Sequence, residues 1–303
     1  MSASWKVGLP CTRAEAEAIA ADIAPLGELD PPPVLATSEA DPATPDQWRL
    51  DAYFERRPGK AAISMLRALA PSASAAEPVV ERVAEQDWVR LSQQAIRPIE
   101  AGRFFVHTAS FAGGIPRYRI AFRIEASRAF GTGAHETTRG CLIMLDTLKA
   151  RRARFANICD IGTGTGLLAF AALALWPRAR AIASDIDPVA IEIARENMAI
   201  NAIAEGRGSG ALELVVAQGL AHCRLRRRAP YDLVIANILA DPLITLAPAV
   251  ARALAPGGTL ILAGLLGAQA AQVIAAYRRR GLRLAGRSDE DDWAILRLVK
   301  RPG

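Results

Sequence analysis

Hydrophobic positions change their spacing along the chain, and that change divides it. Near the start, residues 5–9 and 48–54 alternate as strands do, and residues 79–83 read as a further strand. Ala16, Ile19, Ala20 and Ile23 recur at helical spacing over residues 13–24, behind Thr12 as an N-cap. Residues 60–69 read as a short helix, and Pro31-Pro32-Pro33 and the prolines of residues 41–45 punctuate the loops. A β-α-β-β-α-β order in about 80 residues predicts a small α+β ferredoxin-like domain over residues 1–85.

Residues 86–124 read as a connecting region containing Asp87-Trp88 and one strand-like run, residues 103–107. Over residues 125–303 strands and helices alternate. Candidate strands fall at 157–161, 179–184, 212–217, 233–236 and 259–263, with helices at 167–176, 188–200, 242–254 and 267–279 between or after them. That alternation predicts an α/β Rossmann-like domain, a mainly parallel sheet with helices on both faces. Residues 282–299 read as two more strands, a terminal hairpin.

Composition changes this picture little. The 303 residues, 51% hydrophobic and 22% charged, suit a soluble chain of one large and one smaller domain. No apolar run reaches the ~18 residues of a membrane span, and the N-terminus lacks a basic region followed by an apolar one, so a cytoplasmic protein is expected. Cys11, Cys141, Cys159 and Cys223 lie far apart, and the three histidines lack ligand spacing, so neither a disulfide frame nor a metal is expected. The net charge of +6 includes runs at residues 224–228 and 278–280. An RNA-binding module would rest on these runs. Solvated loops and helix ends are the simpler reading, and with no aromatics interleaved, stable nucleic-acid binding is not expected.

The candidate chemistry starts at Asp160, which ends the first large-domain strand and precedes Gly162, Gly164 and Gly166. Glycine lets the chain turn sharply and lets a ligand approach the backbone, and this turn sits between a strand and a helix. A dinucleotide fingerprint needs glycine at 167, where Leu stands. The acid before the turn would repel a pyrophosphate and suits a ligand with an amino group. S-adenosylmethionine, with its ammonium and sulfonium and no phosphate, fits that charge. Asp185, ending the second strand, can accept from ribose hydroxyls. Asp187 before Pro188 reads as a helix N-cap with Pro at the first helical position.

Two further segments narrow the class. Phe130-Gly-Thr-Gly-Ala-His-Glu-Thr-Thr138 carries glycines for close approach and hydroxyls for a cofactor carboxylate, although Thr137 or Thr138 could instead cap the helix that follows. Asn237-Ile-Leu-Ala-Asp-Pro-Leu243 puts an Asn at the fourth strand tip. Its carbonyl can accept from a substrate amine and aim the nitrogen lone pair at a sulfonium methyl, while Asp241 reads as the entry to the next helix.

Together these segments, with Asp160 to Gly166 and Asp185 to Pro188, resemble the ribosomal protein L11 methyltransferase (PrmA-type) family. The likeness spans residues 128–266 and extends weakly upstream through Asp87-Trp88 and Pro98. It implies a protein N-methyltransferase (enzyme class 2.1.1) that uses S-adenosylmethionine and no metal. By it, Thr138, Gly162, Asp185 and Asn237 match the family's cofactor-contacting positions, with Asn237 also facing the amine; the full set of cofactor contacts expected here is Phe130, Thr137, Thr138, Asp160, Gly162, Gly164, Gly166, Asp185 and Asn237. The implied partner is ribosomal protein L11, methylated on its α-amine and lysines and recognised by the N-terminal domain; a related lysine methyltransferase acting on another protein is the alternative. A monomer is expected. One departure is Ser92, where members often carry a second Trp four residues after the one matching Trp88, and residues 110–119 are unusual for the family.

Overall fold

Alternation of inward apolar and outward polar side chains builds the first strand, β1 (Ser4–Thr12), where Val7, Leu9 and Cys11 are buried while Pro10 and Thr12 are exposed. The computed structural model describes residues 4–21, 33–39, 47–54, 56–74, 76–83, 98–124 and 134–302. Pro31, Pro32, Ile23, Ala24, residues 41–45, Asp87, Trp88, Ser92 and Phe130 lie outside them. The chain divides into two units, Met1–Ala95 and Ile96–Gly303.

In the first unit β1 leads into α1 (Arg13–Ala21), β2 (Val34–Glu39), β3 (Gln47–Phe54), α2 (Lys60–Leu69) and β4 (Val79–Val83). The strand order is β2-β3-β1-β4, every pair antiparallel. Thr12 opens α1 with a reciprocal pair: its hydroxyl accepts from the Glu15 N–H at 3.3 Å, and Glu15 accepts from the Thr12 N–H at 2.8 Å. Leu9, Leu50, Ala52 and Leu66 form the centre of this unit's core.

The second unit begins earlier than its hydrophobic pattern suggests. Residues 98–124, read from sequence as part of a connector, form β5 (Ile99–Ala101), β6 (Phe104–His107) and β7 (Ile120–Arg123) in one small sheet. Phe104 stacks on Phe122 at 6.2 Å between centroids, and Phe122 meets Phe170 at 6.3 Å. The apolar run at 104–106 needs a core to bury it, and Phe104 and Val106 share one with helix and strand residues of the large sheet, such as Phe170, Ile158 and Ile235.

The elements that follow are α3 (Ala134–Ala150), β8 (Asn157–Ile161), α4 (Leu167–Leu175), β9 (Arg180–Asp185), α5 (Pro188–Ile200), β10 (Ala204–Glu205), β11 (Ala211–Val216), α6 (Cys223–Arg228), β12 (Tyr231–Asn237), α7 (Ala240–Ala253), β13 (Leu254–Leu266), α8 (Ala270–Arg278), β14 (Leu282–Glu290) and β15 (Trp293–Lys300). Among the described residues the large sheet runs β10-β11-β9-β8-β12-β13-β15-β14. The pairs from β10 to β13 are parallel, and β15 inserts antiparallel between β13 and β14. The sheet is therefore mainly parallel with a terminal hairpin. No helix among the described residues is long and apolar enough to cross a membrane.

Successive strand residues face opposite sides of the sheet, each side covered by its own core. Ile158, Leu233 and Ile235 belong to the core shared with α3 and α4; Cys159, Val234 and Ala236 belong to the one under α7 and α8. Helix α4 (LLAFAALAL) is buried at every position but Ala174, as suits an apolar helix between sheet and neighbouring layers. The chain leaves β8 toward β9 and β11, then returns to β12 on the other side of β8. This reversal opens a crevice beyond the carboxyl ends of β8 and β12, the place where such sheets take ligands.

Candidate active site

The glycine turn occupies one lip of that crevice. Gly162, Gly164 and Gly166 all take positive φ, at 70°, 53° and 87°. A Cβ at Gly162 would come 2.2 Å from Ile238 Cγ2, and one at Gly166 would strike the Phe170 ring at 2.4 Å. At Gly164 nothing lies within 4 Å, so this glycine leaves open space where the others make close packing possible.

Neighbouring strands hold the turn. The Gly162 and Thr163 N–H groups both donate to the Ser184 carbonyl, at 2.8 and 3.0 Å. Asp185, at the tip of β9, accepts the Gly164 N–H at 2.9 Å through Oδ2 and the Asp187 N–H at 3.1 Å through Oδ1. Asp187 caps α5, accepting from the Val189 N–H at 2.9 Å with Pro188 in the first helical turn.

Asp160 lies at the floor of the turn, 1% exposed. Its Oδ2 accepts from the Thr163 hydroxyl at 2.6 Å, while Oδ1 is buried with no hydrogen-bond partner. Burial raises its pKa to about 7; the charge of Asp185 adds to the rise and the Thr163 hydroxyl opposes it. An unsatisfied acceptor under the turn suits a cationic ligand and opposes a pyrophosphate. Ile186 and Leu239, both large and exposed, stand at the tips of β9 and β12.

The other lip is Asn237. Period-two alternation from Leu233 and Ile235 puts it on the α3 side of β12, where its Nδ2 donates to Thr138 Oγ1 at 3.3 Å. Thr137 and Thr138 are both buried. Helix α3 begins at Ala134, earlier than its apolar positions suggest, so neither threonine is its cap: both sit inside its first turns. Phe130 lies outside the described residues, as does the side chain of His135. Among the described residues no group of three or more His, Cys, Asp or Glu is arranged to hold a metal.

Comparison with known proteins places this arrangement. A family model described as ribosomal protein L11 methyltransferase (PrmA) matches residues 15–301. The chain belongs to that family. It is a methyltransferase with the Rossmann-like fold of the S-adenosylmethionine-dependent enzymes. Relatives named ribosomal protein L11 methyltransferase include one from Agrobacterium fabrum, 39% identical over 270 residues, covering 88% of this chain and 89% of the relative. Another, from Caulobacter sp. (strain K31), is 42% identical over 256 residues, covering 84% of each. A crystal structure of ribosomal protein L11 methylase from Lactobacillus delbrueckii subsp. bulgaricus superposes with a TM-score of 0.54 at 25% identity, over 68% of this chain and 98% of that one.

In this methyltransferase several residues that shape the crevice escape a reading of motifs. Asn197 of α5 is 1% exposed and donates to the Thr165 carbonyl at 3.1 Å, pinning the end of the glycine turn. Its signal is a polar residue inside the apolar stripe Ala190, Ile191, Ala194 and Met198. Gly264, at φ 80°, lets β13 approach the Ile238 backbone, since a Cβ would lie 2.5 Å from the Ile238 carbonyl oxygen. Ile238 is thus held between Gly162 and Gly264, which fixes the residue next to Asn237.

Two arginines of the run at 224–228 are accounted for within the fold. The run forms most of α6, capped by the His222 ring, which accepts the Arg224 N–H at 3.2 Å. Arg224 and Arg228 pair with the buried Glu213, at 3.4 and 3.3 Å.

Proposed function

We propose that this chain transfers methyl groups from S-adenosylmethionine to amine nitrogens of ribosomal protein L11, its α-amine and lysine side chains. The observation that carries the reading is the pairing across the switch point of an oriented Asn237 amide with a glycine turn floored by a carboxyl. The relatives' name supplies the acceptor.

The donor, when bound, supplies a methyl group on an electrophilic sulfonium. The chain's own residues position and desolvate. The open space at Gly164 admits the donor against the backbone, Asp185 offers acceptors to ribose hydroxyls, and Ile186 and Leu239 offer apolar cover. With Nδ2 given to Thr138, the Asn237 amide presents Oδ1 to an N–H of the acceptor. That contact directs the nitrogen lone pair in line with the methyl–sulfur bond, and orientation of this kind accounts for much of the acceleration in such displacements. An α-amine, with a pKa of about 7.7–8.0, is readily neutral, whereas lysine at about 10.4 must shed its proton on binding.

The first unit, a β-α-β-β-α-β sandwich, is read as the part that recognises the ribosomal protein. One chain supplies both lips of the crevice, in keeping with a monomer acting in the cytoplasm. Purified L11, labelled donor and mass spectrometry test the proposal directly. Methyl groups on the α-amine and on lysines are expected; an L11 that gains none would overturn it.

A further inference from the structure

A second concave site lies on the α3 side of the terminal hairpin, away from the glycine turn. A cavity of about 210 Å³ is lined by Met144, Thr147 and Arg151 from α3 and its end, and by Gly286, Ser288 and Arg297 from the hairpin.

The hairpin register explains why cations gather there. Ile295 packs in the core under α3, and Leu296 and Leu298 in the opposite core, so Arg297 and Val299 fall on the α3 side. Arg283 pairs with Val299, Gly286 with Arg297 and Ser288 with Ile295, which brings Arg283 and Ser288 to the same face. A bulge between Leu284 and Gly286 keeps that alternation in step. Gly286 leaves the space opposite Arg297 open: a Cβ there would stand 3.3 Å from Arg297 Nε. The Arg297 guanidinium also donates to the Ala285 carbonyl.

The charge on this face is unbalanced. Acids of these elements pair with other arginines: Asp146 with Arg103, Glu290 with Arg139, and Asp289 with Arg287, which also lines the cavity. Among the described residues no carboxylate pairs with Arg151, Arg283 or Arg297. Burial lowers the pKa of Arg297, and the charges of Arg151 and Arg283 lower it further. Like charges gathered at a half-buried cavity repel unless an anion joins them.

We infer that this cavity binds a phosphate group, either free inorganic phosphate or a phosphate of a nucleic-acid backbone, held by Arg151 and Arg297 with the Ser288 hydroxyl, beside the charge of Arg283. The planar guanidinium fork matches phosphate oxygens, and the hydroxyl adds a donor that does not compete for them. The inference is independent of the reading of the crevice.

Thermal unfolding of the full chain tests it, with inorganic phosphate titrated against chloride at matched ionic strength. Arg226, exposed and without an ion pair among the described residues, supplies the control site. Tm is expected to rise with phosphate in the wild type and in Arg226→Glu, and Arg151→Glu to weaken the effect about tenfold or more. A second arm measures anisotropy of a labelled single-stranded RNA without terminal phosphates. A tenfold loss there on Arg151→Glu, with Arg226→Glu unchanged, identifies the nucleic-acid backbone as the source; a phosphate-specific Tm rise without it identifies free phosphate. Phosphate acting no more strongly than chloride, together with RNA binding indifferent to Arg151→Glu, would overturn the site. So would a phosphate effect of equal size in wild type and Arg151→Glu.

Discussion

Asn237 donates through Nδ2 to Thr138 Oγ1 at 3.3 Å, so the amide at the end of β12 is oriented by the first turns of α3. Asn237→Ala should lower kcat by about 100-fold, because the acceptor amine loses its alignment, while donor Kd changes by less than about threefold. Thr138→Val keeps the shape and removes the hydroxyl, freeing the amide to rotate; a kcat loss of about tenfold is expected, with Thr138→Ser restoring most of it. Steady-state kinetics beside donor calorimetry separate the two effects. The reverse pattern, donor affinity lost and kcat kept, assigns the amide to the donor.

Asp185 builds the glycine turn as well as facing the crevice, since it accepts the Gly164 and Asp187 N–H groups. Asp185→Ala therefore removes donor contacts and loosens the turn together. Donor affinity should fall by about 10- to 100-fold and stability by about 1–2 kcal/mol. Unchanged donor affinity by calorimetry would remove Asp185 from the binding site.

Two glycines of the same crevice should respond in opposite ways to alanine. At Gly164, with φ 53° and nothing within 4 Å, the new methyl costs about 1–2 kcal/mol of backbone strain. It stands where the donor would lie, so donor binding is lost while Tm falls only slightly. At Gly264 the methyl meets the Ile238 backbone at 2.5 Å, which no side-chain rotation relieves. Gly264→Ala should unfold at a markedly lower temperature, and its residual activity should fall because Asn237 moves with Ile238. Comparable Tm values for the two variants would refute this contrast.

What sequence shows of this fold follows the range of the forces involved. The run from β8 through the glycine turn to α4 is local: a buried strand, three glycines that permit positive φ, then an apolar helix, all legible in order. Asn237 is legible for the same reason, as a polar residue closing the apolar run of β12. The short strand β7 is not, because its Phe122 is ordered by Phe104 of β6 and by Phe170, 48 residues beyond it; nor is β5, three residues long and paired only to β6. Gly264 gives no motif, since what makes it glycine is the Ile238 backbone on a neighbouring strand. Asn197 left a trace that motif reading passed over. The arginine run reads from sequence as a solvated surface, because the partner that two of its members take, Glu213, lies on β11 before it.

That partner can be tested. Glu213 is 7% exposed and takes Arg207 at 2.9 Å, Arg224 at 3.4 Å and Arg228 at 3.3 Å, with the Arg228 side chain only 8% exposed. Removing the carboxylate strands the Arg228 cation in the interior. Glu213→Ala should destabilise by about 3–5 kcal/mol, whereas Arg226→Ala on the same helix should shift stability by less than about 0.5 kcal/mol. Denaturant unfolding measures both; equal, small effects would mean that the cluster is held by solvent instead of by Glu213.

Asp160 gives the chain a distinctive pH dependence. Burial, with the Asp185 charge adding and the Thr163 hydroxyl opposing, lifts its pKa from 3.8 to about 7. A carboxyl whose folded pKa lies above its unfolded value holds an extra proton in the native state between those two values. Its contribution to stability is therefore complete below 3.8, declines as pH rises toward about 7, and is flat above that. This is opposite in sign to a salt-bridged aspartate. Asp160→Asn keeps an acceptor for the Thr163 hydroxyl and removes the titration, so its stability relative to wild type should grow with pH across that window. A donor carrying an ammonium favours the ionised carboxyl, so wild-type donor affinity should strengthen as pH rises to about 7, and that strengthening should be missing from Asp160→Asn. Denaturation and donor calorimetry on both proteins through the window read the two slopes. Parallel stability curves would show that Asp160 is ionised throughout and that the floor of the turn is already a negative site before the donor arrives.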